Sequence, residues 1–106
     1  MTSSGGGRRI AFAGIAAEAR LYADVLVPRW LPDGSRAGDE WVSLNPTRAD
    51  GRAGSFKVNL ATGRWSDFAT GDAGADLVAL AAYLFGLTQS AAALKIAEML
   101  GRDPYE

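Results

Sequence analysis

The sequence predicts an α+β fold: a small antiparallel sheet of about four strands, with a helix before it and a helical hairpin after it. Three stretches carry that prediction. Residues 55–60 alternate as a strand does, with Phe56, Val58 and Leu60 on one side and Lys57 and Asn59 on the other, and then reach the turn Ala61-Thr62-Gly63. Residues 15–27 place Ile15, Ala19, Tyr22 and Leu26 at helical spacing, with Glu18, Arg20 and Asp24 elsewhere. Residues 76–85 and 88–100 read as two further helices joined by Gly86-Leu87.

In chain order, residues 1–7 are small and lack apolar content, so residues 1–9 read as a disordered tail and 10–106 as a single domain. Arg8 and Arg9 close the tail as a solvated pair. Pro28 is expected to stop the first helix. Residues 29–31 and 40–44 read as short strands around the turn-rich linker 32–39, a hairpin that brings Trp30 and Trp41 together across the strands. Residues 45–54 lack a large apolar anchor and read as an exposed loop.

The central hairpin follows. With Gly63 in the left-handed position of a three-residue loop, Leu60 faces Arg64, Lys57 faces Asp67 and Phe56 faces Phe68. That register predicts that the two phenylalanines share the core. Residues 67–74 form a Gly- and Asp-rich bend before the apolar helix 76–85, whose Asp76 suits the positive end of the helix dipole. Gly86 ends that helix, Thr88 caps the next, and Gly101 and Pro104 stop it, which makes an antiparallel helical hairpin packed on the sheet.

A chain of 106 residues suits one modest core. Of its residues 48% are hydrophobic, but alanine makes up much of this, so Trp, Phe, Leu, Val and Ile must supply the packing. The net charge of −1 is unlike that of a strongly basic nucleic-acid binder, yet the charge is uneven. Residues 48–65 hold Arg48, Arg52, Lys57 and Arg64 against Asp50 alone, and the chain is acidic from Ser66 onward. With no cysteine, no signal peptide and no apolar run near the ~18–20 residues of a membrane span, a cytoplasmic location and no membrane partner are expected. No histidine, cysteine, phosphate-binding Gly-Lys-Ser/Thr run or dinucleotide fingerprint is present, so no enzyme activity and no cofactor are expected of this chain. Asp72 and Asp76 are paired carboxylates at a helix start, where carboxylates commonly serve the dipole.

The order Asn45-Pro46-Thr47-Arg48, Ser55-Phe56, Asp67-Phe68-Ala69-Thr70-Gly71, Gly74-Ala75-Asp76 and a closing helix 88–100 resembles the zinc-binding domain of bacterial and phage primases. The resemblance covers residues 41–101, and it is to the branch fused to primase-helicase proteins of phages, plasmids and mobile elements. That family carries Cys-Pro-x-His, then roughly 16 to 18 residues, then Cys-Phe-x-Cys-Gly. The spacing is kept here while Asn45, Arg48, Asp67 and Thr70 stand where the ligands belong. The resemblance therefore implies a degenerate zinc-ribbon-like primase domain without its metal, since the chain has neither a thiolate nor an imidazole ligand. Asp67, Thr70 and Asp72 read as turn residues bonding local amides, with a hard-cation carboxylate site as the alternative.

The candidate nucleic-acid-binding residues are Arg48, Arg52, Lys57, Arg64 and Trp65, since single strands are held by cations along the phosphates and an aromatic face under a base. The resemblance points the same way, to weak binding of single-stranded DNA template beside a primase or helicase catalytic domain or a replication protein. Two other readings stand beside it. In one, Lys57 pairs with Asp67 and Trp65 packs under the loop; in the other, the domain is a protein-interaction or scaffold module.

Overall fold

The amphipathic run after residue 10 folds as two helices rather than one. In the computed structural model, which describes residues 8–47 and 55–106, α1 spans Phe12–Leu21 and α2 spans Ala23–Trp30. The break is at Tyr22, whose amide donates to the Ala19 carbonyl at 3.0 Å while its own carbonyl starts the next helix by accepting from Val25 and Leu26. The buried stripe still runs through both helices as Ile15, Ala19, Ala23, Leu26 and Val27. Pro28 does not stop the helix; it lies inside α2. The hydrogen bond it forfeits would go to the carbonyl of Asp24, an exposed residue, so the helix runs two residues further.

The strand expected at 29–31 is therefore absent, and the two tryptophans part company. Trp30 meets Phe85 edge to face, with centroids 6.0 Å apart, and Trp41 donates its indole N–H to the Leu31 carbonyl at 2.9 Å. The first strand lies instead within the expected linker. β1 (Ser35–Ala37) pairs with β2 (Glu40–Ser43) across a two-residue loop, followed by β3 (Phe56–Asn59), β4 (Trp65–Asp67) and β5 (Ala73–Gly74). Among the described residues the five strands form an antiparallel meander in the order β1-β2-β3-β4-β5, one strand more than expected.

The β3–β4 register differs from expectation by one residue. Phe56 faces Asp67, Lys57 faces Ser66 and Val58 faces Trp65. The cause is local. The Asn59 side chain accepts from the amides of Ala61 and Thr62 at 2.8 and 3.0 Å, and its carbonyl accepts from Gly63, whose φ of 81° needs glycine. The Asn59 amide in turn donates to the Arg64 carbonyl at 2.7 Å, so Asn59, not Leu60, closes the loop. A slip of one exchanges the two faces of the partner strand. Asp67 goes into the protein, Phe68 goes to the surface, and neither Phe56–Phe68 nor Lys57–Asp67 forms a cross-strand pair.

After the sheet come α3 (Leu77–Phe85) and α4 (Gln89–Leu100). Asp76 caps α3 by accepting from the Ala79 amide at 2.8 Å, and Thr88 caps α4 by accepting from Ala91 at 3.1 Å. The chain bends by 108° between them, so the pair cross rather than lie antiparallel. No single helix among the described residues is long and apolar enough to cross a membrane. Ala92, Ala93, Ile96 and Ala97 of α4 join Leu77, Leu80 and Ala81 of α3, the α1–α2 stripe, and Phe56, Val58 and Trp65 of the sheet in one core.

The two ends of the described residues are joined to each other. The Ala11 amide donates to the Pro104 carbonyl and the Glu106 amide to that of Arg9, both at 2.8 Å. Arg8 pairs with Asp103 at 2.7 Å and lies 5.1 Å from the Tyr105 ring centroid. The Tyr105 amide, and then Arg8, hold the Asp103 carboxyl below its ordinary range. Of the tail expected at residues 1–9, residues 1–7 lie outside the described residues.

β5 is two residues long, and Gly74 lets it form. A Cβ at this position would overlap Trp65 Nε1 and lie within 2.6 Å of Cζ2, on a ring that the core holds in place. Gly74→Ala is expected to cost about 1–3 kcal/mol, the range of overpacked cores. An unchanged denaturant midpoint would show that β5 does not lie against this ring.

Candidate nucleic-acid interface

The strand alternation gives the β3–β4 hairpin two unlike faces. Phe56, Val58, Trp65 and Asp67 point to the helices, whereas Lys57, Asn59, Arg64, Ser66 and Phe68 point away from them. The register places Lys57 opposite Ser66, with Arg64 and Phe68 two residues to either side of Ser66 on the same strand. The Phe68 amide extends the ladder by donating to the Ser55 carbonyl at 3.0 Å. Lys57 Nζ stands 5.7 Å from the Phe68 ring centroid, within cation–π range. Phe68 is 75% exposed, and Arg64 is exposed as well. Glu40, opposite Asn59, adds an acid at one side of this face.

Of the five residues singled out for nucleic acid, Lys57 and Arg64 are thus brought together on one open face, while Arg48 and Arg52 lie outside the described residues. Trp65 is a correction. It is 6% exposed, with its ring 4.8 Å from that of Tyr83 and edge-on to Phe56 at 6.1 Å, and a base cannot reach it without opening the core. The available aromatic is Phe68, which the expected register would bury. The signal for it was Asn59, whose side chain sets the loop length and hence the register.

On the other face lies a polar cluster. The Asn45 amide group donates to Asp67 Oδ2 at 2.7 Å and to the Tyr83 phenol oxygen at 2.8 Å, and that phenol donates to Asp72 Oδ2 at 2.8 Å. Asn45 Oδ1 accepts from the amide and hydroxyl of Thr47, at 2.9 and 2.7 Å. Asp67, 1% exposed, also organises the bend that follows β4: Oδ1 accepts from the Ala69 amide at 2.8 Å, and its carbonyl accepts from Thr70 and Gly71 at 3.3 and 2.8 Å. Thr70 Oγ1 accepts from the Asp72 amide at 3.1 Å. The turn-residue reading of Asp67 and Thr70 describes these local bonds; Asp67 and Asp72 also make long-range ones.

Of the four positions where the sequence resemblance places ligands, Asn45 and Asp67 are in direct contact and Thr70 lies in the same bend as Asp67, while Arg48 lies outside the described residues. These residues do not fit zinc. Asn45 presents N–H donors, not lone pairs, to Asp67 and Tyr83, and its carbonyl oxygen is taken up by Thr47. Thr70 brings only a hydroxyl, and among the described residues no group of three or more His, Cys, Asp or Glu side chains is placed to hold a metal ion.

Comparison by sequence with protein families and with characterised proteins finds no match. By structure, 90% of this chain superposes on 22% of the chain in the crystal structure of the Aquifex aeolicus primase (zinc binding and RNA polymerase domains), with a TM-score of 0.74 and 18% sequence identity. At that identity the likeness is one of fold. The chain is an α+β domain with the fold of about a fifth of that primase.

Proposed function

We propose that this chain is a non-catalytic domain that engages single-stranded DNA template in a replication-priming protein, a primase or primase-helicase of a phage, plasmid or other mobile element. The observation that carries the reading is the open hairpin face, where Lys57, Arg64 and the exposed ring of Phe68 stand together. Cations beside an aromatic suit a strand whose bases are free to stack, and the fold shared with a primase gives such a strand a context. One side of the Phe68 ring faces Lys57; a base would take the other. The polymerising or unwinding chemistry belongs, in this reading, to domains outside the chain, and the location is cytoplasmic.

Leu21, Tyr22 and Val25, exposed together around the break between α1 and α2, favour a second reading. They suit a protein partner, such as a catalytic domain or a replication protein, that covers apolar surface.

Titration of a labelled single-stranded oligonucleotide at low and moderate salt separates the two. Micromolar or weaker binding is expected, with Lys57→Ala and Arg64→Ala each reducing the salt slope by roughly 0.7. Phe68→Ala is expected to weaken binding by about 1–3 kcal/mol with the slope unchanged, the signature of a lost stack. Absence of binding at low salt sinks the DNA reading, and salt-insensitive binding to a polypeptide partner favours the second.

A further inference from the structure

We infer that the cluster of Asn45, Asp67, Tyr83 and Asp72 is a hydrogen-bonded clip that takes the place of a structural metal in this fold. The fold likeness includes a protein whose description names zinc binding, and the residues here do not fit that ion. What a structural metal supplies is a tie between segments distant in sequence, fixed in geometry and closed to water. The cluster supplies a tie of the same reach, buried at Asn45 and Asp67 and open to solvent at Asp72. Asn45, in the segment after β2, reaches Asp67 across 22 residues and Tyr83 of α3 across 38, and Tyr83 reaches Asp72 across 11.

The protons of Asn45 and Tyr83 are accounted for. Both Asn45 N–H groups have acceptors, its carbonyl oxygen has two donors from Thr47, and the phenol proton goes to Asp72. A cation placed here would meet the N–H groups of Asn45. The Tyr83 ring that carries this phenol packs on the rings of Phe56 and Trp65, which anchors the tie to the core. The shape of the bend at residues 67–72, and with it the position of Phe68, then depends on neither metal nor thiol, whether or not the chain binds DNA.

The inference is tested on the full chain, by thermal unfolding and by hydrogen exchange of the Ala69, Gly71 and Asp72 amides. Tyr83→Phe removes one hydroxyl and keeps the ring. It is expected to lower the midpoint by several degrees and to raise exchange at those amides about tenfold, because it takes away the acceptor of the buried Asn45 and the donor to Asp72 together. Midpoint and exchange both unchanged would overturn the clip. A triple variant, Asn45→Cys with Asp67→Cys and Thr70→Cys, tests the place. It is expected to unfold at a lower temperature than the wild type without metal, and to regain stability on binding one zinc or cobalt ion through three thiolates and water. A folded variant that takes up no cobalt would overturn the assignment of the clip to the metal's position.

Discussion

Phe56→Ala is expected to lower stability by about 3–5 kcal/mol, the range for removing a fully buried phenylalanine. The ring is 0% exposed, edge-on to Trp65 and 6.2 Å from Tyr83, so its loss opens a cavity where sheet and α3 meet. In a domain of this size the melting midpoint falls by more than about 10 °C. Phe68→Ala is the control. That ring stands on the open face, and its removal is expected to stay within about 0.5 kcal/mol of the wild type. Equal losses at the two positions would restore the register in which both rings are buried, and no loss at either would remove Phe56 from the core.

Asp67→Ala is expected to cost about 2–4 kcal/mol, because it leaves more than one group without a partner. The Asn45 amide and the Ala69 amide both lose their acceptor, and the bend after β4 loses the side chain that shapes it. Asp67→Asn keeps the size and one carbonyl oxygen. It is expected to cost less than the alanine, since it preserves either the bond from Ala69 or that from Asn45 but not both. Equilibrium unfolding in urea ranks the three chains. An alanine variant as stable as the wild type would show that the carboxylate is not buried in the network.

Local patterns in the sequence were sufficient for the parts whose determinants are close together. The alternation of Phe56, Val58 and Leu60 forecast their buried face, and Thr88, Gly86 and Gly101 marked the bounds of α4 and the ends of both C-terminal helices. Proline was a poorer guide. Pro28 reads as a stop, yet α2 passes through it because the acceptor it fails to serve belongs to an exposed residue near the start of the helix.

The candidate site was half legible for a related reason. Lys57 and Arg64 stand out by composition alone, and the hairpin brings them to one face. The aromatic was misjudged because Trp65 and Phe68 exchange faces with a one-residue slip, and periodicity assigns a strand its two faces without saying how its partner is aligned. Asn59 makes that choice by folding its side chain over the turn, with the Leu60 amide donating to the carbonyl of Asp39 in the β1–β2 loop. The polar cluster lies further out of reach of the sequence. Asn45, Asp67 and Tyr83 come from three separate segments, and only packing of α3 against the sheet brings the phenol to the amide. The sequence by itself determined that no thiolate or imidazole is present; the tertiary structure decided that hydrogen bonds tie those segments, because buried polar groups brought together must satisfy one another.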